Sequence, residues 1–336
     1  MSYIGVICHQ ISRVAAVFIF LYTLGTNAFI FIKEKSSSNQ AHYDAAAESI
    51  ECLALIYFFW LFQKSRQDIL DVFKLLDAMG SRLCIVSSIY TWENRLKKFL
   101  VWASIHHVLY SAIYSYFVVY YKYSEEEFAV VYWLEKAIAH RKVLCIFSFF
   151  VVFIKKAIIL GYFEVFNLLY SLVCFVIYQT CKEHLKILNN QDGKGLETLY
   201  RVLTKNIKKI DRKLNFKAFV LFMILFSHTF RYVFDSMFED NQRFVLVGLF
   251  FEFLHDLIGI LMLSFLGSSV HEICKSIREK VLRLDPVLFV AQPETLLKFQ
   301  RLEVYMTLWD MINLRRSLLI TIFEITLTYA VVVGNA

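Results

Sequence analysis

Apolar residues along the chain gather into seven long runs, at roughly 11–32, 45–63, 98–121, 156–180, 215–235, 244–267 and 317–335. Each is about 20 mostly apolar residues long, the length a helix needs to cross ~30 Å of hydrocarbon. Arg13 lies inside the first run and no small-residue cleavage pattern follows it, so that run reads as a span rather than a leader. An eighth run, 143–154, is twelve residues long, eleven of them apolar, before Lys155 and Lys156, too short for a crossing, and reads as a buried or interfacial helix. Between the spans, 181–214 and 268–316 mix apolar and basic residues at helical spacing. Leu296, Phe299, Leu302, Met306, Trp309 and Asn313 fall near one face, with Pro293 suited to a first turn, which predicts a helix over 293–313. Asp285 and Pro286 end the helix before it. The pattern therefore predicts an all-α membrane protein, 1–336 forming one seven-helix domain, whose helices four to seven extend into an inner bundle.

Composition points the same way. Of 336 residues, 58% are hydrophobic and 19% charged, with 2 prolines. Soluble domains run nearer 45–50% apolar and ~25% charged, so a soluble enzyme, a disordered chain and a small disulfide scaffold are all disfavoured. The scarcity of proline favours unbroken helices over a β-barrel. The seven cysteines (Cys8, Cys52, Cys84, Cys145, Cys174, Cys181, Cys274) form no Cys-x-x-Cys pair, so neither a disulfide framework nor structural zinc is expected. Cys174 and Cys181 stand two turns apart on one face and read as buried thiols.

The net charge of +7 is asymmetric along the chain. Loops after spans two, four and six carry 24 Lys and Arg, and the alternate loops carry 9. The positive-inside rule then puts the N-terminus in the cytosol and the C-terminus outside. A G-protein-coupled receptor has the opposite orientation, and its Asp-Arg-Tyr and Asn-Pro-x-x-Tyr motifs are missing. Basic runs interleaved with stacking aromatics are also missing, so no nucleic-acid partner is expected; membrane lipid is.

The last run holds the most specific pattern. Ser317, Thr321, Glu324, Thr328, Val331 and Asn335 step by four and three, which puts them on one helical stripe opposite Leu, Ile, Phe and Val. A carboxylate and several hydroxyls on one line face protein or water rather than lipid. A helix-packing seam and a water-lined pore both satisfy that requirement.

At its outer end the chain reads Thr328-Tyr329-Ala-Val-Val-Val-Gly-Asn335-Ala336. A Thr-Tyr pair, five mostly apolar residues and an amide resembles the C-terminal signature of the insect gustatory receptors, which usually show Thr-Tyr, five hydrophobics, Gln, Phe. With seven spans, an inner N-terminus and basic inner helices, the resemblance covers essentially the whole chain. It implies a tetrameric, ligand-gated, non-selective cation channel, homomeric or heteromeric with related receptors, that responds to a small-molecule tastant. By position, Glu324, Thr328, Tyr329, Val331, Val332, Val333 and Asn335 would line the pore or its gate. Asn335 is one methylene shorter than the family's Gln, Gly334 replaces a bulky aliphatic, and Ala336 stands where an aromatic is expected. Those departures keep open a non-conducting adaptor or partner subunit of the same fold. A secondary transporter is a third, weaker reading, since no pair of Gly- or Pro-interrupted helices marks two repeats.

Polar residues near the outer ends of spans three to six form a candidate ligand pocket: Tyr110, Tyr114, Glu164, Asn167, His228, Arg231, Glu252 and Asp256. Tyrosine rings stack while carboxylates and amides orient a polar ligand; an interfacial tyrosine belt and a structural Arg231 pair with Asp256 or Glu252 explain the same residues without a ligand. His106 and His107 point about 100° apart on a helix and lack a ligand at i+4, so they read as core histidines and no metal is expected. No Gly-rich phosphate loop, Gly-x-Ser-x-Gly or His-Glu-x-x-His occurs, so neither catalysis nor a cofactor is expected.

Overall fold

The computed structural model describes residues 39–81, most of 98–119, 141–154, 157, 161–188, 196–238, 243–284 and most of 303–328. The expected first span, 11–32, lies outside the described residues, as do 120–121 and 329–335 at the far ends of 98–121 and 317–335. The named helices are α1 (Asn39–Lys64), α2 (Arg66–Ser81), α3 (Arg141–Ile154), α4 (Gly161–Leu188), α5 (Leu196–Phe238) and α6 (Arg243–Leu284). Two two-residue strands follow, β1 (Thr307–Leu308) and β2 (Ile312–Asn313). Residues 107–117 and the described residues of 317–328 are also helical.

Among the described residues, three helical stretches are long and apolar enough to cross a bilayer: Phe163–Lys186, Tyr200–Phe230 and Phe253–Arg283. They overlap the expected spans four, five and six, each shifted by several residues. Each also runs on as the sequence predicts: α5 is 43 residues, about 64 Å at 1.5 Å per residue, roughly twice the hydrocarbon thickness. The 14-residue α3 is about 21 Å long, short of a crossing. It exposes Ile146, Phe147, Phe150 and Ile154, so it is not the buried helix that was one of two expectations.

The chain divides into two compact units, one of residues 1–63, 98–165 and 238–254, the other of 64–97, 166–237 and 255–336. In the first, Phe58 of α1 stacks on Phe163 at the start of α4, with ring centroids 4.4 Å apart. The opposite side of α1 leaves Ile50, Leu53, Tyr57 and Trp60 exposed at steps of three and four. An exposed apolar stripe of that kind marks a membrane or partner surface.

The second unit is built on three seams. On α6, Asp256, Ile260, Leu263, Gly267, Val270, Cys274, Ile277 and Val281 alternate steps of four and three, and all are buried. On α5, Leu203, Ile207, Ile210 and Leu214 keep the same rhythm, and on α4 so do Phe166, Tyr170, Val173 and Ile177. A period near 3.5 holds each seam toward its neighbours over many turns. Space at Gly259 is tight: a Cβ there would lie 3.0 Å from the Asn167 amide nitrogen and 3.1 Å from a Leu225 methyl, so those side-chain ends would have to give by a few tenths of an ångström. Cys181 faces Cys274 across the seam with sulfurs 4.0 Å apart, and both remain free thiols.

Residues 303–315 correct one expectation. The predicted 293–313 helix is, in its described part, a β-hairpin in which Thr307 pairs with Asn313 and Leu308 with Ile312. Val304, Met306 and Leu308 are buried, while Glu303 is exposed and Tyr305 and Thr307 are half-buried, an alternation with a period of two. The helical reading took Met306 with residues three and four away and missed this shorter alternation in a β-branched, aromatic stretch.

Leu314, at the hairpin's end, packs directly on α6: a Cβ on Gly267 would meet its Cδ1 at 2.7 Å and its Cβ at 2.9 Å. Gly267→Ala is expected to lower the thermal midpoint of the purified protein in detergent by overpacking, at a cost of about 1–3 kcal/mol. Adding Leu314→Ala should recover part of that loss. A single variant that melts like wild type would show that the hairpin is not seated on α6.

Candidate functional site

The polar groups of the long helices are where chemistry could reside, because a charge there must be paired or hydrated. Asp256 begins the α6 seam and is 4% exposed. His228 of α5 donates from Nδ1 to its Oδ2 at 3.1 Å, and His255, the preceding residue, donates from Nδ1 to its Oδ1 at 3.3 Å. Both carboxylate oxygens are therefore held by imidazole N–H groups, one from each of two helices.

A second carboxylate–histidine pair lies in the first unit. Glu164 of α4 places Oε2 at 2.6 Å from His107 Nδ1 in the 107–117 helix. His107 Nε2 lies 3.2 Å from the Ala157 carbonyl, which can only accept, so the ring nitrogen is the donor of that contact. A Cβ on Gly161 would sit 3.1 Å from the same Nε2, so the small residue at the start of α4 leaves room for the ring.

The eight candidate pocket residues divide between the units. His228 and Asp256 are joined directly. Tyr110 and Tyr114, one turn apart, have tilted rings with centroids 6.2 Å apart. Glu164 is matched to His107, and Asn167 lies beside Gly259. The side chains of Arg231 and Glu252, and with them the expected arginine pair, fall outside the described residues; the described partners of Asp256 are His228 and His255. Of the pore candidates, Glu324 and Thr328 are described and exposed; Tyr329, Val331, Val332, Val333 and Asn335 lie outside the described residues.

Three polar links were not anticipated. Asp211, 5% exposed on α5, accepts the Thr307 backbone N–H at 2.8 Å and its hydroxyl at 2.7 Å, clasping β1. His271 of α6 donates from Nδ1 to the Val304 carbonyl at 2.9 Å and stacks on Tyr305 at 4.0 Å between centroids. The third ties α2 to α5: Lys213 reaches Asp68 at 3.1 Å and Asp71 at 3.0 Å, while Lys217 reaches Asp68 at 3.4 Å. An Asp pair at i,i+3 and a Lys pair at i,i+4 are the sequence signal that could have matched these two helices. Among the described residues no cluster has the His, Cys, Asp and Glu geometry of a metal site.

Asp68 and Asp71 are held below the ordinary carboxylate range. For Asp68, burial pushes upward but is outweighed by the Lys213 hydrogen bond and the Lys217 charge; for Asp71, the Lys213 hydrogen bond is the main cause. A carboxyl depressed in the folded state stabilises it above the unfolded-state value, and that contribution is lost as pH falls through the folded-state value.

Compared with models of protein families and with curated proteins, the chain matches none. Fold and site together define a mostly helical, multi-pass membrane protein, with three candidate transmembrane helices among the described residues and carboxylate–histidine pairs among its helices.

Two outcomes are expected. Asp256→Ala leaves two imidazoles without their acceptor and should cost about 3–5 kcal/mol, read as a lower melting midpoint, with Asp256→Asn losing less. Melting between pH 5 and pH 3 should fall more steeply for wild type than for an Asp68→Asn, Asp71→Asn double variant. Parallel curves would mean the two aspartates add nothing to acid sensitivity.

Proposed function

We propose that this chain is a gustatory-type chemosensory receptor that works as a ligand-gated, non-selective cation channel. In this reading it crosses the plasma membrane seven times, with the N-terminus cytosolic, and four copies bring their last helices to a shared axis. The observation that supports it best is the stripe Ser317, Thr321, Glu324 and Thr328, every member exposed, while Ile322 on the other side is buried. The four polar residues fall within about 60° of arc, and the exposed Ile320 and Ile325 flank them. A carboxylate and three hydroxyls at membrane depth require water or protein. A four-fold assembly supplies both, water along the axis for the stripe and a neighbouring copy for each isoleucine shoulder. A ring of four Glu324 carboxylates would favour cations.

Ligand recognition belongs in this reading to the polar side chains of spans three to six, with His228 and Asp256 as its best-defined pair. The rival, a non-conducting subunit of the same fold, draws on Gly334 and Asn335, which depart from the family's C-terminal pattern.

Expression of the chain alone, with currents recorded while sugars and bitter compounds are applied, tests the proposal. Ligand-evoked currents reversing near zero in mixed monovalent cations are expected, and Glu324→Gln should reduce cation over anion permeability. Four-fold particles at normal surface delivery without any current would favour the non-conducting subunit; monomers would remove the pore.

A further inference from the structure

One face of α5 changes character along its length. Arg201, Lys205, Lys208, Lys209 and Arg212 are all exposed and fall within about 100° of arc. Continuing along the same arc come Phe216, Phe219, Met223, Phe226 and Phe230, half-buried or exposed. The switch from cations to apolar side chains takes one turn, about 6 Å between Arg212 and Phe216. The packed side of the same stretch holds Leu203, Ile207, Ile210 and Asp211, so the nearest carboxylate points away from the basic face and is engaged by Thr307. Lys213, by contrast, is turned to Asp68 and Asp71. Among the described residues, none lies within ion-pair distance of Lys205, Lys208, Lys209 or Arg212.

That spacing works against the helix by itself. Lys205 with Lys209 and Lys208 with Arg212 are like-charge i,i+4 pairs, each costing a few tenths of a kcal/mol. An anion laid along the face relieves both. The apolar continuation shows where such an anion would come from: with Phe216–Phe230 against acyl chains, Arg212, Lys209 and Lys208 stand at headgroup depth and Lys205 one turn beyond. From Lys205 to Arg212 the face spans about 10 Å, longer than one phosphate group covers.

We infer that the Lys205–Arg212 face of α5 is a binding site for a membrane glycerolipid whose headgroup carries more than one phosphate, its acyl chains running along Phe216, Phe219 and Met223. The site requires only that α5 cross a bilayer and is independent of the receptor reading.

The test uses the full-length purified protein in a neutral detergent. Short-chain phosphatidylinositol bisphosphate, phosphatidylserine and phosphatidylcholine, and free inositol trisphosphate, are titrated while affinity and melting midpoint are recorded. The bisphosphate lipid should bind, raise the midpoint and weaken with salt, phosphatidylserine should bind more weakly, and phosphatidylcholine should have no effect. The Lys208→Gln, Lys209→Gln, Arg212→Gln triple variant should lose affinity by about fivefold per cation removed, about a hundredfold in all. The charge-keeping variant Lys208→Arg, Lys209→Arg, Arg212→Lys should keep most of it, as should Lys182→Gln on α4. Unchanged affinity in the triple variant, or a charge-keeping variant that melts like wild type yet no longer binds, would overturn the site. Phosphatidylserine binding as tightly would overturn the multiple-phosphate requirement, and inositol trisphosphate binding as tightly would overturn the assignment to a lipid.

Discussion

A charged side chain on the packed face of a membrane helix has no water to return to, so it holds position only while another part of the protein holds it. Asp256, Asp211 and Lys217 are all buried on α5 or α6, and each is engaged by a different neighbour. Asp256 joins α6 to α5, Asp211 joins α5 to the β-hairpin, and Lys217 joins α5 to α2. The apolar seams on α4, α5 and α6 supply most of the buried surface, but a ladder of Leu, Ile and Val at steps of three and four packs nearly as well after slipping by a turn. A carboxylate with both oxygens on imidazoles does not slip, because displacement would leave three polar groups in a low-dielectric interior. The apolar residues thus drive association and the few polar ones choose its register.

The outer surfaces follow complementary rules. Where α1 and α5 present large apolar side chains at helical spacing, lipid is the natural solvent. Where the last helix presents hydroxyls and a carboxylate, it is not. The same sequence period of three and four therefore does opposite work on different helices, and only the chemistry of the stripe tells which medium it meets.

Much of the helical framework was legible from the sequence because hydrophobicity alone decides it. The cores of α4, α5 and α6 lie where long apolar runs occur, and their extensions follow from apolar residues recurring among lysines. The hairpin was not legible, since Val304, Met306 and Leu308 alternate over only five residues inside a stretch that also satisfies a helical period. Of the candidate site, the sequence marked Asp256, His228 and Glu164 as unusual at their depth. It did not reveal their partners, because His107 lies 57 positions from Glu164 and pairing at that distance depends on how helices rotate about their axes. Asp211 was hidden for another reason: in a basic loop a single aspartate looks like charge balance, and its role appears only when Thr307 arrives from 96 residues away.

The hairpin also fixes how the final helix is mounted. Leu314 lies against Gly267 of α6, Thr307 is gripped by Asp211 of α5, and helical structure resumes at Ser317, three residues after Leu314. So short a leash leaves little slack to absorb movement. Sliding or twisting of α5 against α6 is geared straight into the root of the last helix, as a rod set in a socket turns with the socket.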